Sequence, residues 1–301
     1  MESESATVIA TYSRRMRLRL ASGEEVDARI KGKRMKAVCA DTVTAEPIDN
    51  EADWLITAIG ERRNELTRPN RRGQVEVLAA NVDLLVVVAS VAPLPDWYVV
   101  DRYLCAAELM GVDTVVVFNK IDLLVGQDIE IEELQEYRDA GIAVLECSAE
   151  TGQGTNAVSK LLAGQRGIVV GQSGVGKSSL INHLVRDAQQ RTATLSRKTL
   201  EGRHTTVNSV LIPLDGGGSL IDSPGVRDFA PALTASSDVA QGFREIADAA
   251  KACRFANCRH LREPGCAVKE AVDQDSISHR RYESYKRVVN LTEKLSQGRY
   301  Q

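Results

Sequence analysis

Short stretches in which apolar and polar residues alternate, each followed by turn residues, fill the first 70 positions of the chain. Alternation with a period of two puts successive side chains on opposite faces of a strand, so each stretch predicts a half-buried β-strand. Five short strands in so small a segment favour an OB-like β-barrel over residues 1–70. The predicted strands are Ala6–Tyr12, Met16–Leu20, Val26–Ile30, Met35–Val38 and Trp54–Ile59.

An arginine-rich segment interrupts this alternation. It runs from Arg62 to Gly73 and contains Pro69. Because turn-forming and charged residues dominate it, we interpret it as a linker and predict the first domain boundary near residue 70.

Beyond that boundary, continuous apolar runs replace the alternation. Leu84–Ala89 and Thr114–Phe118 are typical of strands buried on both faces of a parallel sheet, and Val99–Met110 between them has helical spacing. The succession of strand, helix and strand predicts an α/β domain over residues 71–232. Its further predicted elements are helices Glu130–Asp139 and Ala157–Ala163 and strands Ile142–Glu146, Gly167–Val170 and Ser219–Ile221.

The sheet pattern stops after Gly225, and two stretches with helical spacing follow, Ala247–Ala252 and Ser278–Lys294. We therefore predict a separate helical module over residues 233–301. The expected protein is multidomain, with a barrel, an α/β domain and a helical module.

Composition narrows the class of protein. Hydrophobic residues make up 43% of the chain and charged residues 26%, as in globular proteins, which excludes a largely disordered chain. No apolar stretch approaches the roughly 18 residues of a membrane span, and the N-terminus lacks the pattern of a secretory signal, so we expect a cytoplasmic protein with no membrane partner. Residues 73–232 hold 12 Lys or Arg against 20 Asp or Glu, whereas both flanks are slightly basic and suited to an anionic partner.

A glycine-rich segment after the strand Gly167–Val170 matches the pattern G-x-x-x-x-G-K-[ST] and opens a predicted helix. Its backbone N–H groups and the helix N-terminus favour phosphate oxygens. Lys177 is expected to reach the β- and γ-phosphates, and Ser178 to ligate Mg²⁺. The segment consists of Gly171, Gln172, Ser173, Gly174, Val175, Gly176, Lys177 and Ser178.

A second motif, N-K-x-D, lies at the end of the strand Thr114–Phe118 and predicts which nucleotide base is bound. A carboxylate at Asp122 accepts hydrogen bonds from both N1–H and the exocyclic amine of guanine, which adenine does not offer. Asn119 is expected to tie this loop to its neighbours, and the stem of Lys120 to lie over the ring. Ser148 and Ala149, after the next strand, match a loop that contacts guanine O6 through backbone N–H groups.

A D-x-x-G element, Asp222 to Gly225, follows the strand Ser219–Ile221. Asp222 is expected to hold Mg²⁺ through water, and the Gly225 amide to contact the γ-phosphate. Either Thr205 or Thr206 completes the Mg²⁺ site, and the sequence leaves both open. This element stands close in sequence to the helical module, so nucleotide state is expected to move that module.

The order of the motifs is unusual, since N-K-x-D precedes the glycine-rich segment rather than following it. A circular permutation builds the same sheet, because domain termini often lie close together on the surface. We therefore predict a circularly permuted GTPase domain.

Four residues in the helical module have the spacing C-x4-C-x-H-x5-C: Cys253, Cys258, His260 and Cys266. Three thiolates and one imidazole form a complete tetrahedral shell, which predicts one structural zinc ion per chain. The isolated cysteines are expected to be small buried hydrophobes: Cys39, Cys105 and Cys147.

On these motifs, the sequence resembles the ribosome small subunit-dependent GTPase A family, with residues 119–266 carrying the specific match. The resemblance implies a GTPase that binds the small (30S) ribosomal subunit and its rRNA, assists late maturation, and is stimulated by the particle. It also implies guanine contacts from Asn119, Lys120 and Asp122 and phosphate contacts over Gly171–Ser179, including Ser179. We expect a monomer that binds GTP and GDP with Mg²⁺.

Catalysis needs a residue that orients the attacking water, because Val226 follows Gly225 where Ras-like enzymes have glutamine. The resemblance places a histidine beside the switch threonines, and His204 is the candidate catalytic residue. Two alternatives remain: an RNA-binding assembly scaffold with incidental hydrolysis, and a permuted GTPase acting on the large subunit, which the cysteine cluster disfavours.

Overall fold

A computed structural model of the chain describes residues 3–12, 15–32, 35–69, 75–126, 130–191, 207–223 and 239–297. The strands in chain order are β1 (Glu4–Tyr12), β2 (Met16–Leu20), β3 (Glu25–Ile30), β4 (Thr42–Pro47), β5 (Trp54–Ile59), β6 (Glu65–Pro69), β7 (Val75–Ala80), β8 (Leu84–Ser90), β9 (Asp113–Asn119), β10 (Ala143–Glu146), β11 (Arg166–Gly171), β12 (Val207–Pro213) and β13 (Ser219–Asp222). The α-helices are α1 (Trp97–Met110), α2 (Glu132–Asp139), α3 (Thr155–Leu161), α4 (Lys177–Arg191), α5 (Arg244–Ala250), α6 (Ala267–Asp273) and α7 (His279–Gln297).

Strands β1 to β5 close into a barrel. β1 pairs with β2 and with β4, β2 with β3, β3 in parallel with β5, and β5 with β4. Alternate side chains, among them Val8, Leu18 and Ile56, fill the interior and are fully buried. The OB-like barrel predicted from the alternation is confirmed.

The fourth barrel strand was predicted at Met35–Val38, and this prediction is wrong, since that segment is a loop and β4 begins at Thr42. A buried carboxylate organises the loop: Asp41 accepts hydrogen bonds from the Val38 N–H at 2.8 Å and from the Arg62 guanidinium at 2.7 and 2.8 Å. Arg62 also donates to the Lys36 carbonyl. These contacts use backbone groups that a strand would have given to its neighbours.

The predicted linker also differs from the structure. Part of it is β6, which pairs antiparallel with β7 to form a separate two-stranded sheet. Arg62 and Arg63, at the start of the predicted linker, make ion pairs with Asp41 and Asp83.

The α/β domain has parallel strands in the order β10, β9, β8, β11, β13. Strand β12 then runs antiparallel both to β13 and to β1 of the barrel, so the barrel and the α/β domain share one continuous sheet. The sequence pattern did not predict β12. All seven residues of β8 are buried, as the continuous apolar run predicted.

The helical module docks on α1 through a buried ionic cluster. Asp101 is fully buried and accepts hydrogen bonds from Arg280 and Arg281, both at 2.8 Å, and from the Tyr137 hydroxyl at 2.9 Å. Arg281 also pairs with Glu245 of α5. Breaking such a buried pair by removing one partner is strongly destabilising, so these contacts fix α5 and α7 against the α/β domain.

The isolated cysteines lie in the interior, as predicted, and Cys39, Cys105 and Cys147 are all fully buried. Burial raises the pKa of the Cys39 and Cys147 thiols to about 12 and raises the pKa of Cys105 above its ordinary value. Within the part of the chain that the structure describes, no helix is long and apolar enough to cross a membrane.

Candidate functional site

The glycine-rich loop connects β11 to α4 at the carboxyl edge of the parallel sheet, the strand-to-helix context its pattern requires. Gly171 has φ +140°, and a Cβ there would lie 2.2 Å from the Val88 carbonyl oxygen of the neighbouring strand. Gly176 has φ +92°, and a Cβ there would lie 2.3 Å from Asn119 Nδ2. Both positions therefore require glycine for backbone conformation and for space.

Lys177 is buried inside the curve of this loop. Its Nζ donates hydrogen bonds to the carbonyl oxygens of Gly171 and Gln172, both at 2.7 Å. The loop thus holds the ammonium group beside its own backbone rather than out in solvent. A cation in this position suits the anionic phosphates of a nucleotide.

Asn119 ends β9 and joins three loops. Its Nδ2 donates to the Val175 carbonyl of the glycine-rich loop at 2.9 Å, and its Oδ1 accepts the Ala149 N–H at 3.0 Å. Because the side chain is buried, these hydrogen bonds are shielded from water. In this structure the Ala149 N–H therefore donates to Asn119 and links the two loops.

Two neighbouring residues complete the links. Lys120 has a left-handed backbone, φ +66°, and its Nζ donates to the Gly174 carbonyl at 2.7 Å and to the Ala92 carbonyl at 2.5 Å. Ser148 is fully buried, and its hydroxyl accepts the Thr151 N–H, which closes the turn after β10. The three loops of the predicted nucleotide site thus form one connected structure.

Asp122 carries an unsatisfied acceptor. Its Oδ1 is buried and has no hydrogen-bond partner among the described residues. A buried polar atom left unpaired costs about 1 to 3 kcal/mol, and more when it is charged. Such an atom is expected where a ligand supplies the donor, and the N1–H and exocyclic amine of guanine are donors of this kind.

Two of the predicted Mg²⁺ residues, Ser178 and Asp222, lie at the same edge of the sheet. β13 runs parallel to β11, so Asp222 at its end and Gly171 at the end of β11 come to one side. The Ser178 hydroxyl and the Asp222 carboxylate are hard oxygen donors that suit Mg²⁺. His204, Thr205, Thr206 and Gly225 lie outside the described residues.

The cysteine and histidine side chains of the helical module come together. Four side chains each offer one potential ligand atom, and these atoms all lie within 4.8 Å of one another. The four residues are Cys253, Cys258, His260 and Cys266. The Sγ atoms of Cys253 and Cys266 are 3.9 Å apart, and each lies 3.5 Å from His260 Nδ1. A tetrahedral zinc ion with ordinary bond lengths requires separations of about 3.8 and about 3.6 Å, so this donor set fits zinc.

Two tyrosines of α7 hold the backbone around the histidine ligand. The Tyr282 hydroxyl donates to the His260 carbonyl at 2.6 Å, and the Tyr285 hydroxyl donates to the Arg259 carbonyl at 2.7 Å. His260 itself has a left-handed backbone, φ +57°. These contacts fix the position of the imidazole, as outer-shell partners do in metal sites.

Backbone N–H groups stabilise negative charge at two positions of the metal loop. Burial opposes the charged form of Glu263, but backbone N–H groups, including those of Arg259, Leu261 and Arg262, donate to its carboxylate and lower its pKa to about 2. Burial likewise opposes the Cys253 thiolate, yet N–H donors at the start of α6 hold the pKa of this thiol below its ordinary value. A thiolate is the form that binds metal.

Comparison with known proteins identifies the architecture. A model of the RsgA GTPase family matches residues 59–231. The chain belongs to the RsgA GTPase family. Membership in this family makes it a GTP hydrolase.

Relatives support the family over most of the chain. The small ribosomal subunit biogenesis GTPase RsgA of Haemophilus influenzae (strain 86-028NP) is 36% identical over 99% of this chain and 88% of that protein. The protein of the same name from Ectopseudomonas mendocina (strain ymp) is 42% identical over 84% of this chain and 74% of that protein.

Solved structures confirm the fold. YjeQ from Thermotoga maritima matches with a TM-score of 0.75 and 28% identity, over 97% of this chain and 99% of that one. YloQ, described as a circularly permuted GTPase, matches with a TM-score of 0.72 and 24% identity, over 97% of this chain and 96% of that one. The permuted order predicted from the motifs is therefore the fold of this RsgA-family chain.

Several residues that support the site had no signal in the sequence. Asp96, which caps α1, donates its N–H to the side-chain carbonyl of Gln172 in the glycine-rich loop at 3.1 Å. Tyr282 and Tyr285 are three positions apart on a helix, as core residues often are. Only the structure distinguishes them from ordinary core aromatics, because it brings their hydroxyls to the backbone carbonyls of residues 260 and 259.

Proposed function

We propose that this GTP hydrolase binds the small ribosomal subunit and assists its late maturation, with turnover stimulated by the particle. The observation that carries the guanine assignment is the buried, unpartnered Oδ1 of Asp122, joined through neighbouring residues to the glycine-rich loop. The subunit assignment is supported by relatives that carry the name small ribosomal subunit biogenesis GTPase RsgA over most of the chain.

Each domain and each motif of the chain has its own role in this function. Residues 1–70 form the OB-like domain, 71–232 the permuted GTPase domain and 233–301 the zinc domain. Gly171 to Ser179 bind phosphates. Asn119, Lys120, Asp122, Ser148 and Ala149 form the guanine site, and Asp222 and Gly225 contribute to the phosphate and metal end.

Mg²⁺ would be held by Ser178, Asp222 and one of Thr205 and Thr206, where it neutralises phosphate charge. One zinc ion per chain would be structural, because Cys253, Cys258, His260 and Cys266 complete its shell and leave no position for substrate. The proposed partners are GTP or GDP, the small subunit and its rRNA. The protein would act on the ribosomal particle as a monomer in the cytoplasm.

The test is GTP turnover by the full chain, alone and with purified 30S or 50S particles, together with binding of each particle in the presence of a nonhydrolysable GTP analogue. We expect 30S particles to bind and to raise turnover, and 50S particles to do neither. Binding to 30S without a rise in turnover would support a nucleotide-gated scaffold instead. Stimulation by 50S alone would assign the chain to the large subunit.

His204→Ala is expected to keep GTP affinity and 30S binding but to lose most of the stimulated turnover, by roughly 10². Imidazole accepts a proton near neutral pH, so His204 suits the role of orienting or polarising the attacking water. His279→Ala removes an exposed histidine at the start of α7 and serves as the matched control. Normal stimulated turnover in a folded His204→Ala protein would remove His204 from catalysis and direct attention to a group supplied by the particle.

A further inference from the structure

The side chain of Gln172 connects the glycine-rich loop to the start of α1. The Asp96 N–H donates to Gln172 Oε1 at 3.1 Å. Asp96 is the N-cap of α1, and its carboxylate accepts the Tyr98 N–H. The N–H groups at the start of a helix have no acceptor inside the helix. Gln172 therefore supplies an acceptor that the start of α1 lacks.

Two further contacts join the segment before α1 to the same loop. Pro93 lies against Gly174, since a Cβ at Gly174 would be 3.4 Å from Pro93 Cδ. Lys120 bridges the two chain segments, because its Nζ donates to the Ala92 carbonyl and to the Gly174 carbonyl. Residues 92–96 and the glycine-rich loop are thus in contact at three places, and a displacement of one is passed to the other.

The first turn of α1 also packs against the helical module. The ring of Trp97 stacks on Phe118 of β9, with 6.4 Å between the ring centres. The guanidinium carbon of Arg280, on α7, lies 5.9 Å from the centre of the Trp97 ring. Arg280 also donates to Asp101, further along α1. The start of α1 therefore lies between the glycine-rich loop and α7.

Phosphate binding is expected to change the contacts of the loop backbone next to this connection. Lys177 Nζ donates to the carbonyl oxygens of Gly171 and Gln172, both at 2.7 Å. An ammonium group has three N–H donors, and contacts with the β- and γ-phosphates use two of them. One donor then remains for two carbonyls, so at least one bond to the loop backbone is released. That bond lies at Gln172 or at the residue before it.

We propose that Gln172 is a positioning residue that couples the phosphate-binding backbone to α1 and, through Trp97, to Arg280 of the helical module. The inference rests on the proposed binding of phosphates by the glycine-rich loop. Nucleotide would displace the first turn of α1 through Gln172, and the docking of α7 would in turn set the position of the loop. A binding coupling of this kind acts equally in both directions.

Trp97 fluorescence tests the first half of this coupling. The chain has two tryptophans, and Trp54→Phe leaves Trp97 alone. In that background, emission is recorded while GDP or a nonhydrolysable GTP analogue is added to saturation with Mg²⁺. Gln172→Met keeps the length of the side chain and removes the acceptor. We expect nucleotide to change the emission, and the change to be about fivefold smaller in Gln172→Met, since Gln172 carries the coupling.

Saturation separates a loss of coupling from a loss of nucleotide affinity, and equilibrium dialysis confirms the occupancy of each variant. An equal emission change in fully occupied Gln172→Met would overturn the inference. So would the absence of any change in the Trp54→Phe protein.

A double-mutant cycle tests the connection to α7. Arg280→Gln removes the guanidinium beside Trp97, while Arg281 keeps its own bond to Asp101 and holds α7 in place. We expect Arg280→Gln to lower kcat for GTP about fivefold in the unaltered chain and less than about twofold in Gln172→Met. Equal fold-losses in both backgrounds would mean two independent structural effects and would overturn the coupling.

Arg244→Gln is the matched control, because Arg244 of α5 pairs with Glu108 near the opposite end of α1 at 2.7 Å. It removes a comparable contact between the helical module and α1, far along the helix from Gln172. It should keep the Trp97 response and hold kcat within about twofold in both backgrounds. A loss as large as that of Arg280→Gln would indicate general loosening of the module and would also overturn the inference. Circular dichroism and zinc content check the fold of each variant.

Failure of the proposed function gives different results. No ribosomal particle takes part in these measurements, so a wrong subunit assignment appears only as absent 30S stimulation in the unaltered chain. A wrong phosphate assignment appears as GTP binding that Lys177→Ala leaves unchanged. A Trp97 response that depends on Gln172 supports the coupling whichever particle the protein acts on.

Discussion

Cys258→Ser is expected to release zinc from the purified protein and to loosen the loop between α5 and α6. The apparent binding free energy of a structural zinc ion is about 10 to 16 kcal/mol in small zinc domains, and loss of one thiolate removes much of it. The loop from Cys253 to Cys266 contains little regular structure of its own. Metal analysis measures the occupancy, and hydrogen exchange over residues 253–275 measures the loosening.

The effect should stop short of the nucleotide site. α7 is docked on α1 through Asp101, Arg280 and Arg281, which do not depend on the metal ligands. GTP affinity is therefore expected to stay near that of the unaltered protein. Cys39→Ser removes a buried thiol in the loop before β4, far in sequence from the metal ligands, and should keep one zinc ion per chain. Full zinc occupancy in Cys258→Ser would contradict the ligand set.

The barrel illustrates what alternation predicts and where it fails. β1, β2, β3 and β5 were predicted within two residues of their bounds, because one face of each packs into the barrel. The run Met35–Val38 has the same local pattern but lies in a loop that depends on Asp41 and on Arg62, 21 positions further along. Local periodicity carries no information about such a contact.

The same limit applies to β12. It completes the sheet only by pairing with β1, almost 200 residues earlier in the chain, and with β13. The motifs of the nucleotide site could be predicted from the sequence because their chemistry constrains neighbouring positions. The hydrogen bond between Asp96 and Gln172 could not be predicted, because the two residues are 76 positions apart.

The candidate site shows which part of a function a short motif predicts. Spacing alone predicted one donor set from Cys253, Cys258, His260 and Cys266. The structure places their ligand atoms within 4.8 Å of one another. The tyrosine hydroxyls that hold the backbone at residues 259 and 260 come from α7, more than 20 positions away. Ligands follow from local spacing, whereas their supports follow from tertiary packing.

Asp122→Asn is expected to weaken GTP binding by about 10³-fold, roughly 4 kcal/mol, and to improve binding of xanthosine triphosphate. The carboxylate accepts hydrogen bonds from N1–H and the exocyclic amine of guanine. An asparagine amide turns one acceptor into a donor, which then faces the guanine amine. Xanthine has a carbonyl in place of that amine, so the amide donates to the carbonyl while its oxygen accepts N1–H.

Equilibrium titration of the variant with fluorescent guanine and xanthine nucleotides measures both changes. Asp139→Asn, an exposed carboxylate at the end of α2, removes the same charge away from the base site and should leave both affinities unaltered. The burial of Asp122 Oδ1 makes the exchange of preference the decisive readout, because a merely structural carboxylate would weaken both nucleotides alike when replaced. Equal weakening of the two nucleotides would therefore refute the base contact, even if GTP binding fell by the expected amount.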